Sequence, residues 1–330
     1  MGRFAVAGVG AVGARAARQI FSLGRVDELI VVGSGPGRAD EIAAALGDPA
    51  LAGSWDDALQ SRPEAVVLAG PTDHLQRARA ALAAGAHVVS VADGEAEVRG
   101  LLALDQDARQ VGRSVVVGAG FSPGLSCLLA LHAAAGLDRV EEIRVAVSGT
   151  AGPACAAQAR ASLSGEGLEW DGSDFVPLAA GSGRAQVWFP DPLGPLDCYR
   201  AAMVEPLLLQ PAFAGVGRIS ARRAVVRAEL LAARLGVRLP RRVRAEGLGG
   251  VRVEVSGRAG GAEETKVLGA VDRPAVAAGA VAGVLARWAA EGRLSGPGAA
   301  GVAVMAPDTV GFLTALADRG VRAAAYAGGV

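Results

Sequence analysis

The sequence predicts an α/β fold in two parts: a parallel sheet wound by helices, then a second, mixed α/β domain, with a C-terminal tail returning to the first. Three observations predict it. Residues 8–13 read GVGAVG, closing an apolar run (Phe4 to Val9) and opening a helical pattern. Strand-like and helix-like patterns then alternate as far as Gly118, which is βαβ logic with ligands at the carboxyl ends of the strands. After Gly136 the character changes to longer alternating strands broken by Pro- and Gly-rich loops such as PDPLGP at 190–195. The expected division is residues 1–122 plus 300–330 for a dinucleotide-binding Rossmann domain, and 123–299 for a substrate and dimerisation domain.

The first helix places Val12, Ala16 and Ile20 on one face and Arg15 and Gln19 on the other, with Gly24 as its stop. Leu29 to Val32 is the second strand, and a helix starts near Ala39 after the Ser34-Gly35-Pro36-Gly37-Arg38 loop. Ala65 to Ala69 is an apolar strand, and Gly70-Pro71-Thr72 turns into a helix from Asp73 to Ala84. His87 to Ala92 reads as a strand, Glu95 to Gln110 as one helix, and Ser114 to Gly118 as a strand leading into the loop GAGFSPG at 118–124. In the second part, strands fall at Val140 to Val147, Ala185 to Phe189, Val251 to Val255 and Thr265 to Val271. Helices from about Ala221 to Leu235 and from Pro274 to Glu291 are expected to cover one face of it. The tail turns at Pro307-Asp308-Thr309, forms a helix to Asp318 and ends in the apolar run Val321 to Tyr326.

The glycine turn carries the chemistry. In a G-x-G-x-x-G turn between strand and helix, Gly8 allows the tight turn and Gly10 lets the backbone approach a pyrophosphate. Gly13 lets the helix pack close to its strand, and the first helical residues, Ala11 and Val12, present N–H groups to the phosphates. An NAD site usually carries an acid at the end of the second strand. Here that end reads Val31-Val32-Gly33-Ser34, while Asp27 and Glu28 lie at the other end. Ser34, the backbone at Gly35 and the Arg38 guanidinium suit a 2′-phosphate, so NADP(H) is expected over NAD(H). The strand-end loops carrying Gly70, Pro71, Thr72 and Ala92 are expected beside the same cofactor.

Composition removes other classes. Thirty-three basic and 33 acidic residues cancel, which leaves no electrostatic case for nucleic acid or a membrane surface. Cys127, Cys155 and Cys198 show neither metal-ligand spacing nor a paired framework, so no metal is expected and a reduced, cytoplasmic setting is. The apolar stretch Ala275 to Ala286 is too short to span a bilayer. Lys266 is the one lysine, in a strand-like run, which argues against Schiff-base chemistry. Gly120-Phe121-Ser122-Pro123-Gly124 imitates a hydrolase elbow, but Pro123 has no N–H to give an oxyanion, and the only histidine downstream is His132 in the next helix.

Read instead as a loop after a Rossmann strand, GAGFSPGLSCLLA (118–130) resembles the G-x-D-P-G-hydrophobic element of the saccharopine dehydrogenase-like reductases. The initial GVGAVG, GAHVVSVAD (85–93) before an acidic helix, the alternating strands at 251–271, the alanine-rich helix after Asp272 and GVAVMAPDTVGFLTALADRGV (301–321) extend the likeness along most of the chain. The resemblance implies NAD(P)H-dependent chemistry at a C–N bond of an amino-acid-like or cyclic imine substrate, held between the two domains, in a homodimer. Saccharopine, carboxynorspermidine and lysine are among the family's substrates. Relatives usually carry an aspartate where this chain has Ser122, and commonly another where it has Ser90; these acids help hold the amino substrate.

The remaining groups are few. Asp93 is a displaced carboxylate near the nicotinamide or an N-cap for the helix at Glu95. His74 is an acid or base beside the cofactor or a structural first-turn histidine. His87, His132 and Cys127 read as packing. Phe121, Ser122, Pro123 and Gly124 are expected to line the substrate site, with Trp188 flanking it, Arg200 clamping a carboxylate and Glu205 holding an amine. Two other readings stay open: a non-catalytic NADP(H)-binding regulatory or assembly protein, and a glucose–fructose oxidoreductase-like reductase. The second usually has a catalytic Glu-Lys-Pro where this chain has Val91-Ala92-Asp93.

Overall fold

A computed structural model of the chain describes residues 2–35, 37–234, 247–321 and 323–325. Pro36, Leu235 and Tyr326, which figure in the expectations above, lie outside the described residues. Contacts divide the chain into two units, residues 1–120 with 275–308 and residues 121–274 with 309–330.

The first unit is built on seven parallel strands, numbered along the chain: β1 (Gly2–Ala7), β2 (Val26–Val32), β3 (Ala50–Gly53), β4 (Ala65–Leu68), β5 (His87–Ser90), β6 (Ser114–Val117) and β15 (Gly298–Gly301). Their order is β15-β6-β5-β4-β1-β2-β3. The central strands are apolar on both faces and buried, as a parallel sheet covered on both sides requires. A short helix without an expected counterpart, Trp55–Gln60, begins with a capping box in which Ser54 and Asp57 satisfy each other's backbone N–H groups.

Val12, Ala16 and Ile20 are buried as their spacing predicts, but the opposite face of the first helix (Ala11–Ser22) is covered too. The helix Pro274–Ala290 lies on it through two glycines four residues apart. A Cβ added at Gly279 would stand 2.4 Å from the Arg15 Cβ, and one at Gly283 would stand 2.7 Å from the Gln19 Cβ. Backbones this close tolerate no side chain, and residues 275–290 belong with the first unit, not with the second as expected. The expected single helix over 95–110 is two, Glu95–Leu102 and Asp105–Gln110. The break lets Asp105 accept the Ala299 N–H of β15 at 2.8 Å.

The second unit holds a mixed sheet of nine strands: β7 (Arg139–Val147), β8 (Glu166–Trp170), β9 (Phe175–Ala179), β10 (Ala185–Phe189), β11 (Gly194–Arg200), β12 (Arg218–Ala224), β13 (Gly249–Ala259), β14 (Ala262–Asp272) and β16 (Ala323–Ala325). The main order is β10-β11-β12-β7-β13-β14-β16, with β8 joined to β12 and β9 to β8. Along β13, Val251, Val253 and Val255 are fully buried while Arg252, Glu254 and Ser256 face the other way, the alternation the sequence displays. The helix Leu125–Ala134 packs on β7, β13 and β14.

Two expectations fail here. Residues 221–224 are strand and not helix, because β12 pairs with β7 over Arg218–Arg223, and the helix begins only at Arg227. Ladder pairing overrides the helical propensity of an Ala- and Arg-rich run. The chain returns to the first unit earlier than expected and leaves again at Asp308; residues 323–325 pair with β14, so the closing run completes the second sheet.

Candidate functional site

Loops at the carboxyl ends of β1, β2, β4 and β5 hold the expected cofactor residues, and the three glycines of the turn have three different reasons. Gly8 sits at φ 121°, and a Cβ there would stand 2.5 Å from the Gly70 N. At Gly13 a Cβ would stand 1.8 Å from the Gly8 carbonyl oxygen, so the first helix is locked onto its own turn. A Cβ at Gly10 would meet nothing within 4 Å, and Gly10 caps the helix with extended backbone and no side-chain acceptor. Closed at Gly8 and Gly13 and open at Gly10, the turn leaves the first-turn N–H groups at Ala11 and Val12 to an anion. The residues present therefore fit a dinucleotide pyrophosphate.

Ser34, Gly35 and Arg38 form an exposed loop after β2. Arg38 Nε donates to the Val9 carbonyl at 2.9 Å, tying the guanidinium to the rim of the glycine turn. Its other side lies 3.9 Å from Glu41, a solvated pair of little weight. Asp27 and Glu28 stand at the opposite end of β2.

The β4 and β5 ends are joined through His74, which is 2 % exposed. Its Nε2 donates to the Gly70 carbonyl at 2.7 Å, and its Nδ1 accepts from the Ser90 hydroxyl at 2.7 Å. Ser90 Oγ in turn accepts the Ala92 N–H at 3.2 Å, and Glu97 accepts the His74 backbone N–H at 2.7 Å. Of the two readings of His74, the structural one matches this geometry: both ring nitrogens are occupied in holding two loops together. Pro71 and Thr72 are exposed beside it. Asp93 is half-buried, and Gly94, not Asp93, occupies the N-cap of the helix at Glu95.

The loop after β6 contributes Phe121, Ser122, Pro123 and Gly124 to the second unit. Phe121 is buried, Ser122 is half-buried and Gly124 has φ 132°. The Ser122 hydroxyl donates to Glu205 Oε1, and so does Ser126 at 3.3 Å. Glu205 is fully buried, and its second oxygen, Oε2, has no hydrogen-bond partner. Burial pushes its carboxyl above the usual range, against the opposing pull of the Ser122 hydroxyl, the backbone, the Arg223 charge and Ser126. Cys127, next on the helix, is pushed up to about 12 by burial and by Glu205, which makes it an inert thiol. Since Ser122 gives its proton to Glu205 and the His132 Nδ1 has no partner, no serine–histidine pair exists here for acyl transfer.

Arg200 and Trp188 do not join this cluster. In the β11–β12 ladder Arg200 pairs with Arg222 and Tyr199 with Arg223, and neighbouring residues alternate faces. The Arg200 Nε donates to Glu169 at 2.8 Å, which commits its guanidinium to that carboxylate. Arg218 takes the other oxygen of that carboxylate, also at 2.8 Å. Trp188 is 62 % exposed on β10, the edge strand. Among the described residues there is no group of three or more His, Cys, Asp or Glu that could hold a metal, and no helix long and apolar enough to cross a membrane.

Residues 3–94 match the family described as NADP oxidoreductase coenzyme F420-dependent. No curated protein matches the chain by sequence. Apo saccharopine dehydrogenase (L-Glu forming) from Saccharomyces cerevisiae is similar over 99 % of this chain and 100 % of its own, with TM-score 0.72 and 11 % identity. An amine dehydrogenase from Mycobacterium smegmatis is similar over 92 % of this chain and 96 % of its own, with TM-score 0.54 and 13 % identity. The chain has the saccharopine dehydrogenase fold, a Rossmann unit with a mixed α/β unit, as the sequence resemblance implied.

Proposed function

We propose that this protein is an NADP(H)-preferring oxidoreductase acting on a C–N bond, an imine or amine, of an amino-acid-like or cyclic substrate. The observation that carries the reading is the glycine turn, sterically closed at Gly8 and Gly13 and open at Gly10 above a helix N-terminus. The match of residues 3–94 to an NADP oxidoreductase family and the overall fold support it. A bound nicotinamide cofactor supplies the hydride, so the chain needs no nucleophile of its own.

In this reading Gly8, Gly10, Ala11, Val12 and Gly13 hold the pyrophosphate, and Ser34, Gly35 and Arg38 hold the 2′-phosphate. Gly70, Pro71, Thr72 and Ala92 shape the nicotinamide side, kept in place by His74. Asp93 is the half-buried carboxylate that follows β5, and in this reading it holds or moves a proton on the substrate nitrogen. Phe121, Ser122, Pro123 and Gly124 form the substrate-side loop. The small molecule is handled by a homodimer in the cytoplasm, for which size-exclusion chromatography is the first check.

The test is NADPH oxidation against a panel of cyclic imines and aldehyde–amine pairs, with ketones and sugars as controls. Imine-dependent oxidation is expected. Turnover of the ketones or sugars alone would sink the C–N assignment.

A further inference from the structure

We infer that Ser122 and Glu205 form a relay that receives a cationic nitrogen, with the half-buried hydroxyl in front and the fully buried carboxyl behind it. An alkylammonium or iminium group at Ser122 Oγ is then matched by negative charge on Glu205. The choice of a nitrogen cation rests on the C–N reading above; the relay itself rests on the geometry.

A carboxyl with no exposure is costly as an ion unless a cation answers it. Here both hydrogen bonds, from Ser122 and Ser126, arrive at Oε1, and Oε2 is left alone. A proton on the neutral acid therefore belongs on Oε2. Of the elements packed on the short helix Glu205–Leu209, the turn Gln210–Ala212 carries no charged or titratable group, the other three do, and none of these does the work of a cation at Ser122. The helix Leu125–Ala134 brings Cys127, a neutral thiol, and His132. Strand β8 brings Glu166 and Glu169, the latter already bound by Arg200 and Arg218. Strand β12 brings Arg218, Arg222 and Arg223, of which Arg223 pulls the Glu205 carboxyl down without offsetting its burial.

Ser122 donates its single proton inward, so both lone pairs left on Oγ can accept from outside, and the group they suit is a donor. A neutral alcohol satisfies that hydrogen bond but leaves Glu205 protonated. An ammonium satisfies it and draws out the charge: Glu205 releases its proton to solvent, and no covalent bond to the ligand forms. Recognition is thus coupled to release of the proton that the buried Glu205 carboxyl holds. Glu205 acts through Ser122 and is a positioning residue.

The probe is n-butylammonium chloride, with n-butanol and sodium chloride as controls, read by infrared spectroscopy of the carboxyl band and by calorimetry in two buffers. The wild-type protein should show a protonated carboxyl band that Glu205→Gln lacks. The ammonium should bleach it with proton release, and neither control should. Glu205→Gln should weaken ammonium binding about tenfold or more, the scale of a hydrogen bond to a charged group. In Ser122→Asp/Glu205→Gln the charge is moved forward and the side-chain amide introduced behind it can donate to it, so affinity should return to within about threefold of wild type. A merely structural Glu205 would lower stability without this rescue or the proton count. If Glu205→Gln does not fold, Ser122→Ala carries the test, since it should shift the band and abolish its response. A band unmoved by saturating ammonium, bleaching by sodium chloride, undiminished binding in Glu205→Gln or Ser122→Ala, failure of the rescue, or no binding to the wild type would overturn the relay. None of these readouts needs turnover, so an inactive imine panel with an intact band response sinks the reaction and not the relay.

Discussion

Two buried polar centres, one in each unit, are built to opposite rules. His74 in the first unit has every polar atom answered: Gly70 on Nε2, Ser90 on Nδ1 and Glu97 on the backbone N–H. Glu205 in the second has two donors crowded onto one oxygen and none on the other. A saturated network fixes a shape and has nothing left to offer a ligand. A half-saturated one costs stability at rest and recovers it when a partner arrives. The contrast separates a residue type that suggests chemistry, histidine, from the unmet bonding that leaves room for a partner.

The largest effect that would sharpen the contrast comes from the first unit. Gly13→Val puts a branched side chain where even a Cβ lies 1.8 Å from the Gly8 oxygen. NADPH binding, followed by cofactor fluorescence, should fall at least about 100-fold, a cost on the scale of overpacking against backbone. The Glu205 carboxyl band should be unchanged. Normal titration of this variant by NADPH would show that the turn has been misread.

Next comes the pair that could break it. His74→Leu strands the fully buried Ser90 hydroxyl, at a cost of about 1–3 kcal/mol for a buried group left unmet, and releases the half-buried Gly70 carbonyl as well. Glu205→Leu removes a burden along with a contact, so its loss should be smaller than that of His74→Leu above the ordinary carboxylate range. Urea melts at neutral pH decide the matter. If the Glu205 variant loses more, its carboxyl is a structural keystone and the contrast falls.

How far the sequence could carry this is visible in the same residues. The glycine turn was legible because its whole logic is local: strand, three glycines and the start of the helix lie within the first thirteen residues. Gly279 and Gly283 lie inside the apolar stretch Ala275 to Ala286, and nothing local reveals their close contact with Arg15 and Gln19, which spans more than 250 residues of chain. The strand at 218–224 hid for a related reason, since its partner in β7 and not its composition makes it a strand. Glu205 could be guessed as an amine ligand, but nothing local joined it to Ser122, 83 residues away. Arg200 attracted attention as a carboxylate clamp because Glu169, which claims it, is 31 residues distant.

A smaller effect separates the cofactors. Arg38 hooks onto the Val9 carbonyl and presents the rest of its guanidinium at the rim of the turn. NADPH should bind about tenfold tighter than NADH, and Arg38→Ala should remove most of that preference, as loss of one charged phosphate contact implies. Equal affinities in the unmutated protein would remove the 2′-phosphate from the reading.

The smallest expected effect is a pair of opposed pH dependences. His87 in the first unit is lowered to about 4, first by burial and then by Arg113, and its Nδ1 accepts the Ser114 N–H at 3.0 Å. A depressed histidine binds its proton less readily in the folded than in the unfolded state, so the fold loses stability as pH falls from about 6.5 towards 4. Glu205 is raised by burial, so its folded form holds the proton more tightly than the unfolded chain does. That contribution is complete below the ordinary carboxyl value and is lost as pH climbs through the raised one. His87→Gln should therefore gain on wild type at acid pH, and Glu205→Gln should gain on it towards alkaline pH, each by a few degrees in Tm. Differential scanning calorimetry across pH 4–9 resolves the two signs. If both variants track the wild type in parallel, neither group changes its proton affinity on folding, and Glu205 is not the burdened acid that the relay requires.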